Sequence, residues 1–557
     1  MSVAATPRAQ AAGGAQRTVR RLIVYVLLFA LVVIAATGLS GLISRLLEAG
    51  TTLASDDVAG LARSLAFTLI GGPLAALLWW AVWRRLDDPT ERSSVAWGLY
   101  LAAMYTVSLI TFSSALLTAA LQLIDGNWTP SEFSTGLVWA GVWAWHRWMW
   151  HHEGKRPVRL ATVPIVLGSV YGLTIGVGGA VNALGSLLDT AIRGSVGQVS
   201  VGEPWWDSPL KALLWAIAGG AIWWWHWIHD DARRLKTGFA NVALVVVGIL
   251  GAGILTLGGI GTALFVVLRL FFDRTEPIGE LLDPLGEAIA SAAIGALVWY
   301  YHRRIAAERP RNTRQAATLV TSGVGLAAAA TGIGIIVNSL LATLSSPLAG
   351  ADTRTLLLGG ISALAVGGPV WWLAWKPTAP VTEADMASTG RRVYLITVFG
   401  LSAVVALIAL LVVGYGIFEF ALEGAAAGSL VERIRVPLGL LVATALVAGY
   451  HFSVWRRDRA TVGATAPAQR ERISRVFLVT GADAEPQTQA QTQAQTQAIE
   501  EATGASVTVW RRADTGDEPG AAPDAAQLVA ARAGVTGKRV LVVTGRGDRI
   551  DVIPLVD

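Results

Sequence analysis

The chain has 557 residues, of which 53% are hydrophobic and 15% charged, with a net charge of +5 and no cysteine. Soluble domains carry roughly 25% charged residues, so one water-soluble globule is excluded, and the missing cysteine removes disulfides, thiolate catalysis and cysteine-held metal. Long apolar runs take the place of charge: residues 22–43, 241–268 and 393–418 contain none. Each run exceeds the ~20 residues that a spanning helix needs, and backbone polar groups in lipid require helix.

Residues 1–20 are rich in Ala, Gly and Arg and read as a disordered cytoplasmic tail. They do not open a cleavable signal, because the apolar run behind Arg20 and Arg21 is too long. Spans then come as pairs. First helices are expected near 22–46, 95–123, 161–188, 239–271, 318–344 and 393–421. Their partners are expected near 62–84, 134–150, 209–229, 283–303, 355–376 and 433–456. The expected fold is an all-α polytopic membrane bundle of twelve transmembrane helices in six hairpins, followed by a small C-terminal α/β domain.

Charge orients the bundle. The loops on one side hold 25 Lys and Arg and those on the other hold nine. The rich side should be cytoplasmic, and an even span number returns both termini to it.

The second helix of each hairpin ends at the basic side in an aromatic cluster. The shared element is an aromatic residue followed three positions later by Trp or His. The pairs are Trp80/Trp83, Trp145/Trp148, Trp224/Trp227, Trp299/His302, Trp372/Trp375 and Phe452/Trp455. Spacing of i, i+3 is expected to put both rings on one helix face. Odd hairpins read WW-x-x-W throughout: Trp79, Trp80 and Trp83; Trp223, Trp224 and Trp227; Trp371, Trp372 and Trp375. Even hairpins differ in their first helices, so the repeating unit contains four helices. Repetition at a fixed period marks internal duplication. The expected units are 21–153, 160–308 and 317–459, with Asn182 and Asn338 in equivalent intramembrane places.

Trp and Tyr collect at bilayer interfaces, so the aromatic ends read first as anchors. Yet 18 of 23 tryptophans lie on the cytoplasmic side, which leaves room for an aromatic vestibule there. All seven histidines lie there too. His146, His151 and His152, and His226 with His229, are the metal-ligand candidates, since imidazole is a common ligand. Their spacing is loose and no H-E-x-x-H occurs, so no cofactor is expected. No charged residue sits near a helix centre, which argues against coupled transport through buried carboxylates. Gly168, Gly172 and Gly176 repeat every four positions, the pattern of closely approaching helices. Pro73 and Pro369 should kink their helices.

Residues 460–472 read as a linker and 473–557 as a cytoplasmic domain. Strands are expected at 475–481, 506–510, 539–545 and 550–555, with helices at 498–504 and 525–534. The turns at 480–483 and 544–548 follow strands but match neither G-x-G-x-x-G nor a P-loop. The tail carries acids such as Glu500, Glu501 and Asp514, which suit a basic face, and docking of the tail over the cytoplasmic ends is expected.

The repeated hairpins with aromatic–Trp/His–Arg ends resemble an uncharacterised bacterial membrane family known as a domain of unknown function, DUF5671, over about residues 21–459. That resemblance implies an inner-membrane protein and carries no activity or catalytic residue. Three functional readings follow: a membrane sensor or scaffold with a cytoplasmic interaction domain, a permease for an uncharged or lipidic substrate, or a membrane-embedded metal-dependent enzyme built on the histidines. The expected partners are the lipid bilayer and a cytoplasmic protein bound by the C-terminal domain, with no nucleic acid.

Overall fold

The computed structural model describes residues 7–49, 57–196, 204–345, 351–376, 386, 388–423, 429–465, 475–480, 496, 500, 506–511, 539–544 and 550–555. The long helices are α1 (Pro7–Glu48), α2 (Val58–Arg85), α3 (Val95–Ile124), α4 (Pro130–His151), α5 (Val163–Ser195) and α6 (Asp207–Trp224). They continue with α7 (Gly238–Phe272), α8 (Leu285–Ala307), α9 (Arg311–Ser345), α10 (Ala351–Trp375), α11 (Thr389–Glu423) and α12 (Leu430–Thr465). Among the described residues, nine helices are long and apolar enough to cross a membrane. The long helices α4, α6 and α12 are not among them. Their ends are filled with Trp, Tyr, His and Arg, whose polar groups lower mean hydropathy although their rings are largely apolar.

Two expectations at the ends are corrected. Helix α1 starts at Pro7, so most of the segment read as disordered is helical. Its Ala-rich stretch favours helix and runs unbroken into the first apolar span. At the other end α12 runs through Arg459 to Thr465, into the segment read as a linker.

Consecutive helices pack as hairpins: α3 on α4, α5 on α6, α7 on α8 and α9 on α10. Glycine sets the closeness of two of them. A side chain at Gly172 of α5 would run into the backbone nitrogen of Trp223 on α6, and one at Gly325 of α9 would stand 2.5 Å from the backbone nitrogen of Trp371 on α10. Gly168 and Gly176 face α6 as well, so the four-residue glycine spacing does mark a close helix pair.

Among the described residues three π-turns interrupt or extend the helices, at Phe67–Gly71, Trp225–His229 and Leu244–Gly251. The first ends just before Pro73, which has no N–H to continue an α-helical ladder. Such turns insert one residue and re-aim the side chains that follow.

The chain divides into two compact units, 1–454 and 455–557. The second contains β1 (Arg475–Thr480), β2 (Ser506–Arg511), β3 (Arg539–Thr544) and β4 (Ile550–Leu555), in the order β2-β1-β3-β4. β1 pairs parallel with β2 and β3, while β4 runs antiparallel to β3. Parallel neighbours need crossover connections, which is where the sequence places helices. Those expected helices, and the two turns read as glycine-rich, lie outside the described residues, residues 480, 500 and 544 apart. Val476 and Leu478 of the central strand β1 are buried.

Candidate functional site

The WW-x-x-W stretches split by position. The middle tryptophans face outward: Trp80, Trp224 and Trp372 are 51%, 53% and 51% exposed. The first and third are half-buried or buried. The pairs Trp80/Trp83, Trp224/Trp227 and Trp372/Trp375 therefore do not share a face. At 3.6 residues per turn, i and i+4 differ by only about 40° around the axis, against about 60° for i and i+3. Trp223 and Trp227 accordingly stack, with centroids 6.4 Å apart and planes 21° apart. The outward rings carry cations or histidine: Arg84 stands 3.9 Å over Trp80, Lys376 stands 3.6 Å over Trp372, and Trp224 meets His229.

The inward rings meet the aromatic end of the next hairpin in the same way three times. Trp79 meets Trp145 at 5.9 Å and 61°, Trp223 meets Tyr301 at 5.7 Å and 73°, and Trp371 meets Tyr450 at 5.5 Å and 77°. The third tryptophan repeats as well. Trp227 donates to the Tyr301 hydroxyl at 2.9 Å and Trp375 donates to the Tyr450 hydroxyl at 2.8 Å. In the first hairpins the tyrosine is replaced by Trp145, and Trp83 stacks on Trp148 instead. Trp299 lies under Arg303, and Trp455 under Arg459. Phe452 packs on Phe399.

Of the five histidines that directly follow an aromatic residue, all but His151 form one group: His146, His226, His302 and His451. These four are buried. Each Nδ1 bonds the carbonyl one helical turn back, on Val142, Ile222, Val298 and Val447 respectively. A carbonyl only accepts, so Nδ1 carries the proton and the neutral ring presents Nε2 as an acceptor. Tyr100 donates to Nε2 of His146 at 3.1 Å, and Tyr105 donates to Nε2 of His226 at 2.8 Å. Nε2 of His451 has no hydrogen-bond partner among the described residues. Glycines seat two of these rings. A side chain at Gly168 would collide with His226, and one at Gly248 would stand 2.6 Å from His302. The repeated aromatic–His dipeptide was visible in the sequence and marks these positions better than the i, i+3 pairs do.

The metal candidates do not converge. His146 and His226 bond different tyrosines. His151 bonds its own helix through the Arg147 carbonyl, His152 accepts from the Gly154 N–H, and His229 packs on Trp225. Among the described residues no three His, Asp or Glu side chains gather as ligands.

Sequence reasoning missed a polar junction between α3, α4 and α6. Arg147 donates to both carboxylate oxygens of Asp230 at 3.1 Å and to the Tyr105 hydroxyl at 3.3 Å. Tyr105 in turn donates its own hydroxyl hydrogen bond to His226. The ion pair is largely buried, with side chains 16% and 6% exposed, and a bidentate, fully bonded pair is the form in which such burial is tolerated.

Asn182 and Asn338 are not equivalent. Asn182 is exposed and Asn338 is half-buried, accepting from Arg435 at 3.1 Å. The close approaches pair Gly172 with Gly325 and Gly179 with Gly332, and that register carries Asn182 to Ile335.

A separate space lies elsewhere. A cavity of about 1170 Å³ lies between α7, α9, α10 and α11. Its lining carries no charged side chain, and its polar groups are a few hydroxyls, including Thr331, Ser362 and Tyr394. On α9 it extends from Ala316 to Ile335, which at 1.5 Å per residue is roughly 29 Å, the thickness of a bilayer's hydrocarbon core. Gly258 lines it with nothing within 4 Å of a built side chain.

Apolar helices of this length, wrapped around an aromatic and histidine-rich end, define a helical membrane protein. Two segments of the chain, residues 21–145 and 315–446, are similar to a family known as a domain of unknown function, DUF5671, whose model matches both. The matches cover α1 to α4 and α9 to α12 apart from their ends, and leave out the middle of the region expected to resemble the family. No curated protein and no solved structure matches the chain.

Proposed function

We propose that the chain is a membrane receptor for a lipidic ligand: twelve spans in three four-helix units, the ligand held in the cavity of the third unit, and the C-terminal α/β domain acting as a cytoplasmic interaction module. One observation carries this reading, the cavity itself. It exceeds the roughly 300–1,000 Å³ of ordinary small-molecule sites and offers apolar walls through the hydrocarbon depth. A ligand suited to it is a hydrocarbon chain already dissolved in the bilayer. A permease for such a substrate uses the same cavity. The absence of charge in the lining gives no ion to couple, which favours sensing over pumping.

The threefold reading is supported by the recurring Trp–aromatic contacts and by the family model matching twice. The orientation is supported by the charge asymmetry of the loops. Reporter fusions after Gly126 and after Arg459 should report opposite sides of the membrane; the same side at both would overturn the span count or the orientation. For the ligand, a photoactivatable fatty-acyl lipid should label α7 and α9 in the full-length protein. Labelling spread evenly over all lipid-facing helices would refute the cavity as its site.

A further inference from the structure

Resting on that reading, we infer that the cavity takes an anionic phospholipid from the leaflet at the basic face, with its phosphate held by Arg314 and Arg392. The two ends of the cavity differ. At one end the lining closes with Ala316 and Gly390, at the starts of α9 and α11. Gln315 donates to the Ser388 hydroxyl across this end at 2.7 Å, tying the two helix starts together. Arg314 and Arg392 lie next to those residues with exposed side chains, and Arg391 stands 4.9 Å over Trp375. At the other end the lining closes with Thr355, which donates to Asp273 at 2.5 Å. There Arg269 faces Asp273 at 3.6 Å and Glu276 at 3.0 Å, and Arg354 donates to the Phe272 carbonyl, so two carboxylates offset the cations.

A lipid has its charge at one end and hydrocarbon behind it, and this cavity has cations at one end and apolar walls behind them. Basic pockets between spans on the cytoplasmic side recognise anionic headgroups on the same physics. The hydroxyls and amide at the rim add donors for phosphate oxygens. A zwitterionic lipid fits the walls equally well and gains less at the rim.

The test uses the full chain purified from bilayers of equal phosphatidylglycerol and phosphatidylcholine, with retained lipid measured by native mass spectrometry. The wild type should retain phosphatidylglycerol preferentially. Near-surface cations contribute about 1 kcal/mol each toward anionic lipid, so R314Q with R392Q should cut that preference by roughly thirtyfold while phosphatidylcholine still binds. Gly258→Leu should expel both lipids, and it keeps the helix intact because leucine has the better helix propensity. Equal retention of both lipids by the wild type, or a preference unchanged in the double variant, overturns the headgroup assignment alone. Failure of the wild type to retain either lipid overturns the cavity reading beneath it.

Discussion

The α5–α8 and α9–α12 regions build similar interfaces and finish them differently. Between α5 and α7 the space is only about 20 Å³, bounded by Ala243, Leu244 and Gly248 of α7. The larger cavity is bounded on α11 by Val393, Tyr394 and Val398 in the same helical register. Gly248 lets the His302 ring lie against the α7 backbone. Val398 has a side chain where that glycine would be, and α9 offers Gly323, Ala327 and Ala328 in return, too small to fill the gap. One interface is closed by a histidine seated on glycine, and its counterpart stays open because neither helix supplies the volume.

The strongest way to break the comparison attacks what both regions share. Gly172→Leu and Gly325→Leu each force a side chain into the backbone of the partner helix. Overpacking costs ~1–3 kcal/mol when side chains can yield, and a backbone cannot, so each should lose more than ~3 kcal/mol. Thermal unfolding in detergent should show both variants strongly destabilised. If Gly172→Leu melts like wild type, the α5–α6 hairpin is not held as closely as described.

A second substitution should turn the closed interface into the open kind. Gly248→Val places methyls against His302 and should cost about 1–3 kcal/mol, while opening space beside α7. Uptake of a second equivalent of lipid by this variant would tie the open state to that one position. Destabilisation without any new lipid would place the cause of the opening in α9 instead.

Much of this was legible beforehand. Apolar runs and basic loops located every long helix, most ends to within a few residues, with the larger exceptions at Pro7, Ser195, Arg311 and Thr465, because lipid forces helix and interfaces collect Trp and Arg. The four strands were legible from Val-rich runs. Which tryptophan faces inward was not, because i+3 and i+4 neighbours both lie near one face and only the partner helix chooses between them. The Arg147–Asp230 pair was invisible, since Arg147 lies on α4 and Asp230 just after the turn at Trp225–His229, and their spacing carries no signal. The cavity was also hidden: it results from small residues on three helices together, each of which reads singly as ordinary packing.

The buried histidines give a smaller contrast. His226 accepts from Tyr105, so His226→Phe leaves a buried hydroxyl without its acceptor and should cost ~1–3 kcal/mol. Nε2 of His451 has no such donor among the described residues, so His451→Phe removes an unsatisfied group and should be neutral or stabilising by ~1 kcal/mol. The melting temperature should fall for His226→Phe and hold or rise for His451→Phe. Equal losses would mean that both rings matter only as packing.

The smallest effect separates the outward tryptophans. Trp224 and Trp372 are equally exposed, but only Trp372 has an ammonium close over its ring. An exposed cation–π contact contributes roughly 0.5–1 kcal/mol, so Trp372→Leu should cost that much more than Trp224→Leu. Anchoring at the interface is common to both and cancels in the difference. The same substitutions in a Lys376→Met background complete a double-mutant cycle, in which the excess cost of Trp372→Leu should vanish. If the excess survives the loss of Lys376, the ring is held by lipid or by a neighbouring helix, and Trp224 and Trp372 are not interchangeable anchors.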